Sequence, residues 1–328
     1  MAHGILDGRA VYTRKPGWHG LGTTFQNAPN EAELSAALGA DREVRTVPLY
    51  CRGFDGSEIA VSEMVAKLEF HPEHSGGKLV CVSGPETGTI QTSDIIEMFR
   101  PYFTSGAAEV ESAGVLFGGR KVWMLARLLG AAAEVRPGDS IAPYLLFSTS
   151  RDNSAAASVG TTFVRVECAN LLRAAEGSAQ SVLRKFSHRG TDAEVKAKTQ
   201  TALADIQLAQ GKFGDFITSA RIMAEVKAKT DDVREYFASV FGMDANPTER
   251  PKQSQSKLAE LLSIYSDGSS GVGLGGGTWW DAYNAVSDRV THSESRTAET
   301  RFDSALYGRG AGILAEAYKL AFDFASVA

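Results

Sequence analysis

The stretch PYLLFSTSRDNSAAASVGTTFVRVECANLLRA, residues 143–174, decides the fold class of this chain. An apolar run, Tyr144 to Phe147, leads into a loop of hydroxyl, amide and charged side chains from Ser148 to Ser154. Residues then alternate from Val159 to Cys168, which is typical of a half-buried strand, here with a mixed polar and aromatic outer face. Asn170 follows at a position where it can cap a helix. The order strand, loop, strand and helix predicts an α+β fold.

A hairpin is predicted upstream of this stretch. Val110 to Phe117 and Lys121 to Leu128 both have strand-like composition, and Gly118-Gly119 joins them. Two glycines between such runs favour a tight turn, because glycine adopts positive φ without steric cost. The fold class is therefore an antiparallel sheet with a hairpin, packed on helices.

The chain changes character near residue 190. Thr191 to Phe241 is almost continuously helical in composition, with Thr191-Asp192 as the cap, and Trp279 to Val290 and Gly310 to Val327 predict two more helices. Trp279, Tyr283, Val286 and Val290 are expected to form a core stripe. We predict an α+β core domain with an N-terminal arm at residues 1–190, and a helical region at residues 191–328.

The segments before the hairpin predict shorter elements. Pro101 is expected to stop a helix, because proline lacks the backbone N–H and its ring clashes with the preceding turn. The predicted elements are a helix at Glu31 to Leu38, strands at Glu43 to Tyr50 and Lys78 to Val82, and a helix at Ile95 to Arg100.

Composition limits the compartment and the partners. The net charge of −5 over 328 residues excludes a uniformly basic nucleic-acid binder but allows a local basic patch. Cys51, Cys81 and Cys168 are odd in number and far apart, which favours a reducing compartment over a disulfide framework. No run approaches the roughly 18 apolar residues of a membrane span. We expect a cytoplasmic protein without a membrane partner.

The local charge between residues 141 and 200 is opposite in sign to that of the whole chain. Eight Lys or Arg stand against five acids there, and Ser181 to His188 is basic and compatible with an extended segment. A strand with this bias beside an aromatic residue can follow a nucleic-acid backbone. Helical Lys and Arg are also ordinary solvated residues, so the pattern leaves both interpretations open.

No set of residues has the spacing of a catalytic, metal or cofactor site. His71-Pro72-Glu73-His74 has a proline where a metalloprotease motif needs a helix, and its histidines are three residues apart rather than four. The glycine-rich loop at residues 268–277 follows no strand, so a flexible or partner-contacting loop is favoured over a phosphate loop. Asp152 has no evident catalytic partner, and with Asn153 it is predicted to bond the turn backbone. We predict no catalytic residues, no metal and no cofactor.

Four ordered motifs carry a resemblance to a known family. The chain is similar to the phage/plasmid-like protein family, an uncharacterised domain family of phages, prophages and conjugative plasmids, from about residue 14 to residue 320. It departs from the family pattern after Asp152, where a glycine is common, and at Glu167, which is usually apolar. The motifs are Trp18-His19-Gly20-Leu21-Gly22-Thr23, Pro143 to Phe147 with Ser150-x-Asp152, Val164-Arg165-Val166-x-Cys168-Ala169-Asn170-x-Leu172, and Thr278-Trp279-x-x-x-Tyr283-Asn284-Ala285-Val286.

The resemblance implies a function on nucleic acid. Family members often lie near single-strand-binding and recombination functions, and the element order is similar to the core of single-strand annealing proteins. Those proteins form oligomeric rings that lay one DNA strand along a basic groove. With the local basic bias, this predicts a homo-oligomer in a bacterial host cell that binds single-stranded DNA and can anneal it. The predicted contacts are phosphates at Arg165, Arg184, Lys185 and Arg189, an extended groove at Arg120 and Lys121, and base stacking on Phe163 or Phe186.

Two alternatives come from other classes of protein. The acidic net charge and the aromatic residues beside the glycine-rich loop would suit an inhibitor that contacts a host defence or replication factor directly. A metal-dependent nuclease would need Asp152, Glu167 and Asp192 to converge in the fold.

Overall fold

The strands of the chain precede its long helices, with α1 and α2 inserted between strands. The computed structural model describes residues 4–17, 20–73, 76–162, 182–204, 210–243, 252–267, 276–292 and 309–327. Within these ranges the strands are β1 Ile5–Thr13, β2 Thr23–Phe25, β3 Glu43–Arg52, β4 Glu58–Phe70, β5 Gly77–Ser83, β6 Ala108–Leu116, β7 Lys121–Leu128, β8 Ala133–Arg136, β9 Asp139–Ile141, β10 Tyr144–Ser150, β11 Ala157–Thr162 and β12 Val182–Phe186. The helices are α1 Glu31–Leu38, α2 Thr92–Thr104, α3 Asp192–Ala204, α4 Gln210–Glu225, α5 Thr230–Val240, α6 Lys252–Asp267, α7 Trp279–His292 and α8 Arg309–Val327.

The main sheet has seven strands in the order β12-β11-β10-β7-β6-β1-β2. All its neighbours are antiparallel except β1 and β2. Phe147 at its centre pairs with Val159 on one side and Met124 on the other. The predicted α+β class with an antiparallel sheet is confirmed.

The predicted hairpin is strands β6 and β7. A short 3-10 turn, Phe117–Gly119, joins them, and its residues have φ of 53°, 70° and 96°. Two of these three positions are glycines, which explains why Gly118-Gly119 predicted the turn correctly.

One face of the main sheet packs on α1, α2 and α3. Val122, Phe147 and Val159 lie in one buried cluster with Phe99 of α2 and Val195 of α3. The prediction of a half-buried second strand was wrong in the described part of that strand, because all six residues of β11 are buried. β11 lies between β10 and β12, and helix α3 contacts it, so even its polar residues Ser158, Thr161 and Thr162 are buried.

Helix α2 extends beyond the predicted stop. Pro101 lies inside the helix, which continues to Thr104. Phe99 packs against Tyr102 and Phe103, with ring centroids 6.3 and 5.8 Å away. All three rings also pack in the core cluster under the main sheet, so packing of the helix on the sheet compensates for the hydrogen bond that proline cannot make.

A second core lies among α4, α5, α6, α7 and α8. The predicted stripe Trp279, Tyr283, Val286 and Val290 is buried there. The ribbon β8–β9 joins this core through Val135, and Asp139 accepts a hydrogen bond from Nε1 of Trp280 at 2.7 Å. Helix α3, by contrast, packs on the main sheet. The division of the chain at residue 190 stays a prediction.

Candidate nucleic-acid interface

Strand β12 and helix α3 form a groove at the edge of the main sheet. Within the part of the chain that the structure describes, β12 pairs with β11 alone. Thr191 caps α3, as predicted, and the structure shows a full capping box: its Oγ1 accepts from the N–H of Glu194, whose carboxylate accepts from the N–H of Thr191. The groove has a volume of about 560 Å³, and its lining is Arg184, Lys185, Phe186, Glu194, Ala197, Lys198, Thr201 and Ala202.

The lining includes three basic residues and one acidic residue. Lys185 is exposed and has no ion-pair partner among the described residues. Lys198 donates from Nζ to the backbone carbonyl of Arg189 at 2.7 Å, so its ammonium is held beside the segment that follows β12. Hydrogen bonds from the N–H and hydroxyl of Thr191 lower the pKa of Glu194, the one acid. Its carboxylate is thus committed to the helix cap, and the groove has a net positive lining.

Phe186 forms part of the groove wall. It lies on the same face of β12 as Arg184, opposite Ala157 and Val159 of β11. The ring is half-buried and packs against the cluster that contains Val195. An anchored, partly exposed ring can stack on a base without losing further side-chain freedom.

Arg189 lies next to the groove but already has a partner. Its Nε is 3.1 Å from Glu86, and both side chains are largely exposed. Exposed pairs of this kind contribute little to stability, so a phosphate can replace Glu86. Lys196 of α3 does not face the groove, because its ammonium forms ion pairs with Asp94 and Glu97 at 2.7 and 2.9 Å.

The structure does not bring the other predicted cations into this groove. Arg120 is exposed beside the β6–β7 turn, with its Nε donating to the carbonyl of Phe117 at 2.9 Å. Lys121 is buried on β7. Two strands separate β7 from β12, which places them about 14 Å apart at the usual strand spacing. Phe163 and Arg165 lie outside the described residues.

A buried polar cluster lies between β4, β10 and the segment before α3, and the sequence did not predict it. His188 is fully buried, and its Nε2 is 2.8 Å from Oγ1 of Thr149. Burial and the nearby ammonium of Lys67 lower the pKa of His188 to about 4. Lys67 is itself buried, which lowers its pKa, and its Nζ donates to the carbonyl of Gly88 at 3.5 Å.

Arg151 belongs to this cluster rather than to an exposed loop. It follows β10 and is buried, donating to the carbonyl of Gly119 at 2.9 Å and to Oγ1 of Thr92 at 3.0 Å. Burial lowers its pKa to about 10, so the guanidinium stays charged. The signal was present in the sequence, because Leu145, Phe147, Thr149 and Arg151 alternate on one face.

Asp152 bonds the turn backbone, as predicted. Its Oδ1 accepts from the N–H of Ser154 at 3.0 Å, and Asn153 has a φ of 59°. Asp192 accepts from the N–H of Thr89 at 2.6 Å, and Glu167 lies outside the described residues. Among the residues that the structure describes, no three His, Cys, Asp or Glu side chains are grouped closely enough to hold a metal ion.

Several other predicted features fall outside the described ranges. These are Trp18, His19, His74, the motif from Val164 to Leu172 with the predicted helix cap Asn170, and residues 268–275 of the glycine-rich loop. None of the helices that the structure describes has the length and apolarity needed to cross a membrane.

Comparison with known proteins gives one match. A family described as a domain of unknown function, DUF932, matches residues 82–307. The matched range includes the whole groove but not β1 to β4. No curated protein matches the chain, and no solved structure does.

Proposed function

The chain belongs to the DUF932 family, and we propose that it binds single-stranded DNA in the groove between β12 and α3. The observation that carries the proposal is the groove itself, whose lining combines Arg184, Lys185 and Lys198 with Phe186. Three of the predicted contact residues, Arg184, Lys185 and Phe186, thus lie in one cavity.

The chemistry of the groove fits one strand better than a duplex. Lys185 and Lys198 would neutralise phosphates, and Phe186 would stack on an unpaired base. Stacking needs a base whose face is free, which a duplex does not offer. Contacts of these two kinds carry little sequence preference, so we expect binding to depend on salt more than on sequence.

The resemblance to phage and plasmid proteins supports a wider proposal. On a mobile element in a bacterial host cell, the protein would hold strands extended and let complementary strands anneal as an oligomer. Base pairing supplies the free energy of annealing, so the scheme needs neither nucleotide hydrolysis nor a metal.

Removing two groove cations should weaken DNA binding and its dependence on salt. For Arg184→Ala/Lys185→Ala we expect the slope of log K against log salt to become shallower by about 1.4, since each single-strand phosphate contact contributes about 0.7. Fluorescence anisotropy of a labelled oligothymidine over a series of salt concentrations measures this slope.

The matched control is Lys229→Ala/Lys319→Ala, which removes the same charge from exposed sites on the helical region. Its slope should equal that of the wild type. An equal change of slope in the two double variants would mean that net charge, not the groove, governs binding. Absence of salt-sensitive binding by the wild type at low ionic strength would refute the proposal.

A further inference from the structure

The small sheet β3–β4–β5 has buried charged side chains on its inner face and apolar side chains on its outer face. On the inner face Glu69 contacts Arg9, Cys81 donates to the carbonyl of Arg151, and Val44 and Val80 are buried beside Cys81. Its outer face is apolar. Strand register places Leu49 beside Val61, Cys51 beside Ile59, and Leu68 beside Leu79 on that outer face.

The apolar face is exposed to solvent. Ile59 is 51% exposed, Leu79 57% and Val82 37%. An antiparallel sheet with one solvent-exposed face normally has polar residues on that face. In addition, none of residues 48–65, all of which the structure describes, is buried, so the distal half of β3–β4 projects as a two-stranded ribbon. Such a ribbon is marginally stable alone, and its apolar side requires a cover.

The outer face lacks the positive charge that a nucleic-acid partner would need. At the paired outer-face positions the only charged residues are Glu43 and Arg45, which bond each other at 2.6 Å. The face therefore has no net charge, although the chain has −5. Two copies can meet on it without the repulsion that their overall charge would cause elsewhere.

The edge of β3 is closed to an added strand. Gln91 bonds both the N–H and the carbonyl of Val44, at 3.0 and 2.8 Å, and Pro48 has no N–H to offer. A partner at this end of the sheet would therefore pack on the face, and apolar sheet faces pack against one another about 10 Å apart.

We propose that a second copy of this chain covers the outer face, so that the protein is a two-fold dimer through β3–β4–β5. A two-fold contact uses the same surface on both copies. The extended, neutral, apolar face meets this condition, since each copy supplies an identical one. No groove residue belongs to this face, so both DNA grooves stay open, and the dimer does not depend on the proposed function.

A negative charge on the face should dissociate the dimer. By sedimentation velocity we expect twice the 35.0 kDa chain mass for the wild type at high micromolar concentration. For Leu79→Glu and Val82→Glu we expect the dimer Kd to rise by about a hundredfold, because each buries an unpaired charge twice. Tyr50→Glu on the opposite ribbon face, at 56% exposure, and Ile222→Glu on α4, at 37%, are the matched controls and should stay dimeric.

A second measurement avoids variants altogether. Hydrogen exchange of the wild type should show amide protection in residues 49–61 that increases with protein concentration. A monomeric wild type at every concentration overturns the proposal, as does any assembly that Leu79→Glu leaves intact. A monomer that binds lipid vesicles, or one host protein stoichiometrically through this face, also overturns it.

Discussion

Replacing Glu69 with glutamine is expected to lower the free energy of unfolding by about 3–5 kcal/mol, because it leaves a buried guanidinium without its counter-charge. Nη1 of Arg9 donates to both carboxylate oxygens of Glu69, at 2.9 and 2.8 Å, and both side chains are buried. Arg9 also donates from Nε to the carbonyl of Leu38 at 2.7 Å. The pair therefore joins β1, the end of α1 and β4. Urea denaturation measures the effect.

Two control variants separate the charge effect from general damage. Arg9→Met/Glu69→Leu removes both charges and should recover much of the loss. Glu31→Gln breaks the exposed pair with Arg100 and should change stability far less. If Glu69→Gln were no worse than Glu31→Gln, the buried pair would not stabilise the fold as described.

Acid should destabilise the protein through His188. Its pKa is about 4 in the folded protein and 6.5 in the unfolded chain, so between these pH values the unfolded chain binds a proton that the folded protein does not. The free energy of unfolding should therefore fall as the pH drops from 6.5 to 4, by about 3 kcal/mol in total, and this contribution should be constant below pH 4.

His188→Gln tests this directly. Glutamine can still bond Oγ1 of Thr149 but does not titrate, so the variant should lose less stability than the wild type across that pH range. Carboxylates that titrate in the same range cancel in the comparison. Parallel stability curves for the two proteins would show that His188 does not contribute.

The sequence predicts those elements whose signals are local. Gly118-Gly119 predicts the hairpin because the turn needs positive φ, and Thr191 predicts the start of α3 because its side chain caps the helix. Strand β1 was missed in a segment rich in glycine and polar residues. Asp7 and Gly8 have φ of 46° and 72°, and the β1–β6 register shifts between Ile5 and Ala10, so its alternation is broken.

The groove was partly predictable, because part of its lining is a local feature of the sequence. The basic run that contains Arg184, Lys185 and Phe186 is contiguous in sequence, and Lys198 joins it only because α3 folds back along β12. In the buried cluster, the alternation of β10 could have predicted Arg151, but no local pattern marks Lys67 and His188 as buried, because their burial depends on elements distant in sequence. Likewise, the alternation of β4 does not reveal which of its faces meets solvent.

Ultraviolet cross-linking of the wild-type protein to a thymine-rich single strand tests the central claim most directly. After proteolysis, mass spectrometry locates the cross-linked residues without relying on any variant. The proposed function predicts cross-links in residues 183–202, with Phe186 among them, and their loss as salt is raised. Cross-links confined to other surfaces, or none from a folded protein at low salt, would contradict it.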